Sequence, residues 1–191
     1  MRYEKGRKDA SRGRIVEVAS ERFRSDGIAA SGLATIMSDA GLTNGAFYPH
    51  FGSKAELVRE SVVQALEAQS QQIREALASG GLEMAIATYL STLHRDNPAK
   101  GCASAALLPE IVRQPLETRA AYTEHFMSLV REVAAKLPQA KDPEGIALGV
   151  FATLIGTLQL ARAVEGKDLS DRILAAGADA ARRMIQPDRQ I

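Results

Sequence analysis

Apolar positions recur at helical spacing along nearly the whole chain, and no stretch alternates apolar and polar residues as a half-buried strand would. Ile15, Ala19 and Phe23 fall four residues apart and form one face of a helix predicted over Asp9–Ser25, which Gly27 ends. A short helix is expected over Leu33–Ala40, with Ser31 as its N-cap, and Gly41 breaks it. Thr43 then caps a third short helix. Pro49 must stop it, because proline has no N–H to donate and its ring clashes with the carbonyl of Gly45. Ser53-Lys54-Ala55-Glu56 is a capping-box pattern, in which a serine hydroxyl and a glutamate carboxylate answer the first free N–H groups of a helix. The helix it opens carries the stripe Leu57, Val58, Val62, Ala65, Leu66, Ile73 and Leu77 and runs to the turn at Ser79-Gly80-Gly81. Five more helices are expected over 82–95, 102–114, 116–137, 143–164 and 169–185. Asp142-Pro143 marks one start, and Asp168 is placed to cap the last helix. The pattern is all-α, with about nine helices.

Composition narrows the function. Apolar residues make up 46% of the 191, but aromatics only 5% and Trp is absent, so Ala, Leu, Val and Ile must build the core. The net charge of +1 is unevenly spread: Arg2, Lys5, Arg7, Lys8, Arg12 and Arg14 stand against Glu4 and Asp9 in the first fourteen residues. Such an arm is either a local contact for a polyanion or a solvated tail. A lone cysteine, Cys102, excludes an intrachain disulfide framework. The N-terminus has no apolar signal region, and the longest charge-free run, Gly145 to Ala161, falls short of the roughly 20 residues of a membrane span. A soluble, cytoplasmic protein without a membrane partner is expected. His50, His94 and His125 lie far apart and make no metal-ligand spacing with Cys102, and there is no Gly-rich phosphate loop or nucleophile elbow. An enzyme is therefore not expected, nor a metal or cofactor.

The informative stretch is residues 31–54. Two short helices joined by a tight Gly41 turn make a helix-turn-helix, with Leu33, Ile36, Leu42 and Phe47 available to pack on the Ile15/Ala19/Phe23 face. The second short helix then faces outward toward a major groove. The Ala40-Gly41-Leu42-Thr43 turn, Gly45-Ala46-Phe47-Tyr48-Pro49-His50-Phe51, Ser53-Lys54, Leu57 and the spacing from Phe23 and Gly27 to Ile36 resemble the TetR family of bacterial regulators over residues 10–58. Met37 departs from the family's usual alanine. The resemblance implies a DNA-binding domain over 1–52 and a helical effector-binding and dimerisation domain over 53–191. Tyr48, His50 and Lys54 would hold phosphates, with Ser31 nearby at a helix start. Thr43, Asn44, Gly45 and Ala46 would face the bases. No Arg or Lys occupies that short helix, so an A·T-favouring half-site is expected, read by Asn44 on adenine and by Thr43 and Ala46 on thymine methyls.

Gly145, Gly149, Ala152 and Gly156 share one face of the helix at 143–164, and the helix at 169–185 is rich in Ala. Small residues let another helix approach closely, either within one subunit or across a dimer. The resemblance implies the homodimer, bound to palindromic operator DNA. It also implies an effector cavity among the middle helices, for which Tyr89, Leu93, Cys102, Leu107, Ile111, Tyr122, Phe126 and Phe151 are the candidate linings. Apolar walls with two phenols suit a small, largely apolar molecule. Pro109 should kink its helix near Ala105. Cys102, beside Lys100 at a helix start, is a candidate redox or electrophile sensor, although a lone cysteine also serves as a small buried hydrophobe. A helical adaptor that does not bind DNA is the remaining alternative.

Overall fold

The computed structural model describes residues 2–137 and 140–186. Among these there are eight α-helices: α1 (Arg2–Asp26), α2 (Leu33–Asp39), α3 (Lys54–Tyr89), α4 (Thr92–Asp96), α5 (Ala103–Ile111), α6 (Leu116–Ala134), α7 (Pro143–Ala163) and α8 (Lys167–Ile185). Single 3-10 turns occupy Asn44–Ala46 and Pro98–Lys100.

In the N-terminal unit, Ile15, Ala19 and Phe23 of α1 meet Ile36 and Met37 of α2, Phe47, Phe51, and Leu57 and Val58 of α3, all buried. Leu33 and Leu42 pack at the edge of this core. Met37 is fully enclosed, so the larger side chain is accommodated. Gly41 reverses the chain between α2 and the 3-10 turn with φ 72°, a left-handed conformation that side-chain-bearing residues rarely adopt. The Ser53 hydroxyl accepts from the Glu56 N–H at 3.1 Å, and the Glu56 carboxylate accepts from the Gly52 N–H at 2.8 Å. The capping box thus forms, with its return bond one residue earlier than the pattern predicts.

Several boundaries differ from expectation. The first helix begins at Arg2 and not at Asp9, so the basic segment continues α1 rather than forming an extended arm. No proline interrupts it, and Arg12 anchors it to α3 by ion pairs with Glu56 and Glu60 and a 4.4 Å stack over the Phe51 ring. The side chains of Arg2, Lys5 and Arg7 lie outside those described. Gly32, not Ser31, is the N-cap of α2. Ser31 is 4% exposed and turns its hydroxyl back onto the Gly27 carbonyl at 2.7 Å. Gly166, not Asp168, caps α8, and Asp168 sits in the first turn, where a carboxylate favours the helix dipole. The helix expected over 82–95 is divided: α3 continues past a break at Gly80-Gly81 to Tyr89, and Ser91 caps the separate α4.

The larger unit wraps around α7. This helix of 21 residues is apolar and long enough by composition to cross a membrane, a length the charge-free run understates. In the fold its Ala147, Val150, Phe151, Leu154 and Leu158 are buried in the core. The Asp142 carboxylate caps it through the Gly145 N–H at 2.9 Å. Antiparallel α8 is tied to it from Thr153–Met184 through Thr157–Gly177 to Ser170, whose hydroxyl donates to the Ala161 carbonyl at 2.6 Å. The Ala105 carbonyl, which Pro109 cannot answer, accepts from the Gln159 side chain of α7 at 3.2 Å.

Candidate DNA-reading surface and effector cavity

The segment after the Gly41 turn is shorter than the helix expected there. Asn44–Ala46 is one 3-10 turn, followed by bonds from the His50 and Phe51 N–H groups to the Phe47 carbonyl. Phe47 fixes it to the core, 5.5 Å from the stacked ring of Phe51. Thr43, Asn44 and Gly45 are exposed, Ala46 is half-buried, and Thr43 makes no side-chain cap bond. Tyr48 is 73% exposed and stands edge-on to Phe47. These uncharged groups form one tip.

Flanking the tip, His50 is half-buried, and its Nδ1 is enclosed without a partner. Burial, together with the charges of Lys8 and Arg12, lowers its pKa, so the ring is neutral near pH 7 and its other nitrogen is left to act. Lys54 departs from its expected placement at a phosphate. Its ammonium points inward and donates to the carbonyls of Ile28 and Ser31, both at 2.7 Å. The Glu110 carboxylate of α5 accepts the Ile28 and Ala29 N–H groups at 3.0 and 2.9 Å. The loop between α1 and α2 is therefore held from both sides, by a cation on its carbonyls and an anion on its amides. No local sequence signal marks Glu110. Only the folded proximity of residues 28 and 110 reveals it.

The second feature is a cavity of about 680 Å³ between the two arms of α3, closed by α4 and the start of α5. Of the expected linings, Tyr89, Leu93 and Cys102 belong to it. Leu107, Ile111 and Phe151 are instead enclosed in the general core. Tyr122 and Phe126 stack 5.7 Å apart on α6, Phe126 meets Phe151 edge-on, and the Tyr122 hydroxyl bonds Ser104 at 2.8 Å. Apolar periodicity could not separate the two groups, because wall and core look alike in sequence. Gln69, Ile73, Ala76, Met84 and His94, which sequence reasoning missed, also line the wall. Cys102 is 1% exposed, and its sulfur accepts from the Ala105 N–H at 3.4 Å, capping α5.

His94 ties the cavity wall together. Its Nε2 accepts from the Cys102 N–H at 3.0 Å, so Nδ1 carries the proton and donates to the Tyr89 carbonyl at 2.6 Å. Burial, chiefly, depresses its pKa. The neutral ring is thus the native form, and protonation would set an N–H against the N–H of Cys102. Below the ordinary histidine pKa near 6.5, the unfolded chain binds a proton that the native state refuses. Stability should therefore fall as pH drops through about 6.5, by at most about 1.4 kcal/mol per pH unit for each proton, and level off below the native pKa. His50, shifted in the same direction, adds to this. Urea unfolding across that range is expected to show the slope in the natural chain and a smaller one in His94→Gln. An unchanged slope in the variant would assign the effect elsewhere.

The family profile described as bacterial regulatory proteins, tetR family, matches residues 15–61, which hold the helix-turn-helix just described. Over this domain the chain is similar to the TetR family. The HTH-type transcriptional regulator TtgR of Pseudomonas putida is 42% identical over 59 residues. That match covers 31% of this chain and only 28% of TtgR. The whole fold is TetR-like as well. A TetR-family regulator from Cytophaga hutchinsonii superposes with a TM-score of 0.77 at 17% identity, covering 93% of this chain and 96% of that one. Another from Agrobacterium tumefaciens gives 0.76 at 21% identity, covering 91% and 98%. The sequence likeness thus resides in the N-terminal domain, while the larger TetR-like unit shares shape.

Proposed function

We propose that this TetR-family chain is a cytoplasmic transcriptional regulator, a repressor that binds palindromic operator DNA as a homodimer and is released by a small, largely apolar effector. The observation that carries the reading is the exposed, uncharged tip of Thr43, Asn44, Gly45 and Tyr48, set on a buried Phe47 base, with Lys8 and Arg12 of α1 near His50. Thr43, Asn44 and Ala46 meet the bases, and Tyr48 and His50 donate to phosphates. Lys54 acts through the loop it holds. Ser31 acts in the same way, by tethering Gly27. Dimerisation uses α7 and α8, where Leu148, Ala152 and Leu160 of α7 and Leu169 of α8 remain exposed. Gly156 has open space beside it, as a closely approaching second helix requires. The cavity takes the effector, and two ties connect the larger unit to the DNA-binding unit. Arg24 of α1 donates to the Ala99 carbonyl at 2.7 Å, next to the wall residue Lys100, and Glu110 holds the 28–29 amides.

Selection from random duplexes tests the reading. Enrichment of an A·T-rich palindrome is expected. Tyr48→Ala should weaken its binding by about tenfold or more, since a dimer loses a phosphate contact in each half-site, with stability within about 0.5 kcal/mol of the natural chain. The absence of any enriched site in the effector-free protein would move the adaptor reading forward.

A further inference from the structure

The cavity wall carries two unanswered polar groups. Gln69 and Tyr89 are each 6% exposed; the amide oxygen of Gln69 has no hydrogen-bond partner in the protein, and the hydroxyl of Tyr89 has no oxygen or nitrogen partner, only the neighbouring Cys102 thiol. Both residues line the same cavity from opposite arms of α3. Buried polar atoms are paired in the great majority of folded proteins, and an unpaired set at a cavity wall marks where an occupant's polar group goes. Around them stand Ile73, Ala76 and Met84. Charge is scarce: Glu75 and Lys100 are exposed and opposite in sign, and the one histidine of the wall is held neutral by its two bonds. Gly80 and Gly81, where the arms of α3 diverge, have non-helical backbone, and Gly81 sits at φ 66°.

We infer that the cavity binds an uncharged, mostly apolar molecule that bears a hydroxyl or N–H donor, received by Gln69 and Tyr89. This deepens the effector reading above and rests on it for the cavity's purpose. The amide oxygen only accepts, so the ligand must donate, while the phenol serves as donor or acceptor. The lining cation, Lys100, is exposed, and Arg162 behind His94 is engaged by the carbonyls of His94 and Arg95, so an anionic head meets no free buried cation among the lining residues.

The chain lacks Trp, so naphthyl emission can be followed without an indole background. Three probes suffice: 2-naphthol, 2-methoxynaphthalene, which has no donor, and 2-naphthoate, which is charged. The natural chain is expected to bind 2-naphthol at least tenfold more tightly than either of the others. In Gln69→Leu and in Gln69→Met, the preference over 2-methoxynaphthalene should shrink to less than threefold. Helical circular dichroism should stay unchanged, because an apolar side chain there removes an unpaired acceptor. Equal affinities, tightest binding of 2-naphthoate, or a preference that survives both variants would overturn the inference. If 2-naphthol binds with the expected preference yet leaves operator affinity unchanged, the ligand class stands and the effector role fails.

Discussion

Replacing Gly177 by alanine is expected to destabilise the protein by about 2–3 kcal/mol, although alanine is the better helix former by about 1 kcal/mol. A Cβ at this position would overlap the hydroxyl and methyl of Thr157 and stand 2.7 Å from its Cβ. Thr157 is β-branched, sits inside α7 and is buried, so it has little rotamer freedom with which to yield. The helices must move apart instead. Denaturant unfolding of Gly177→Ala, Thr157→Ala and the double variant makes the test. The double variant should recover part of the loss, since the hydroxyl and methyl overlaps vanish and the Cβ contact remains. Strictly additive losses would show that the two residues do not press on one another. Gly156→Ala is the contrast. It meets nothing within 4 Å and should stabilise the isolated subunit by up to about 1 kcal/mol, while weakening self-association if the partner helix passes there.

Lys54→Met should cost about 2–3 kcal/mol of stability, and any loss of DNA affinity should follow from that. The ammonium donates to two carbonyls, Ile28 and Ser31, in the loop that positions α2, and methionine keeps the apolar stem while removing both bonds. Hydrogen bonds to a charged donor contribute about 1.5–3 kcal/mol each, reduced here by partial exposure. The Glu110 clamp on the opposite side of the loop should remain and keep the chain folded. The measurements are urea unfolding and the salt dependence of operator binding. A structural tether predicts lower stability with an unchanged salt slope. A phosphate ligand predicts unchanged stability and a shallower slope, because a released counterion is lost for each phosphate contact. The second result would return Lys54 to the role that its place in the family motif suggests.

Most of what is local can be read from the chain alone. The stripe at Ile15, Ala19 and Phe23, the Gly41 turn, the Ser53/Glu56 cap and the Asp142-Pro143 start each depend on residues within a few positions, and each forms. The helix-turn-helix, the likeness to the TetR family and the all-α class were legible for the same reason. Other features needed the tertiary structure. Lys54 reads as a surface cation beside a helix start, yet the unanswered carbonyls that draw it inward lie 23 and 26 residues away. Arg12 reads as part of a free basic arm, but Glu56 and Glu60 recruit it from another helix. Leu107, Ile111 and Phe151 share the periodicity of the cavity wall, because a helix exposes an apolar face to a void or to a core with the same spacing. Gly177 and Gly156 look equivalent in sequence, and only packing makes one a point of contact and the other open. Periodicity and capping are near-neighbour physics and survive in one dimension. Which polar group meets which, and where space is left, depends on segments far apart in the chain, and folding alone brings them together.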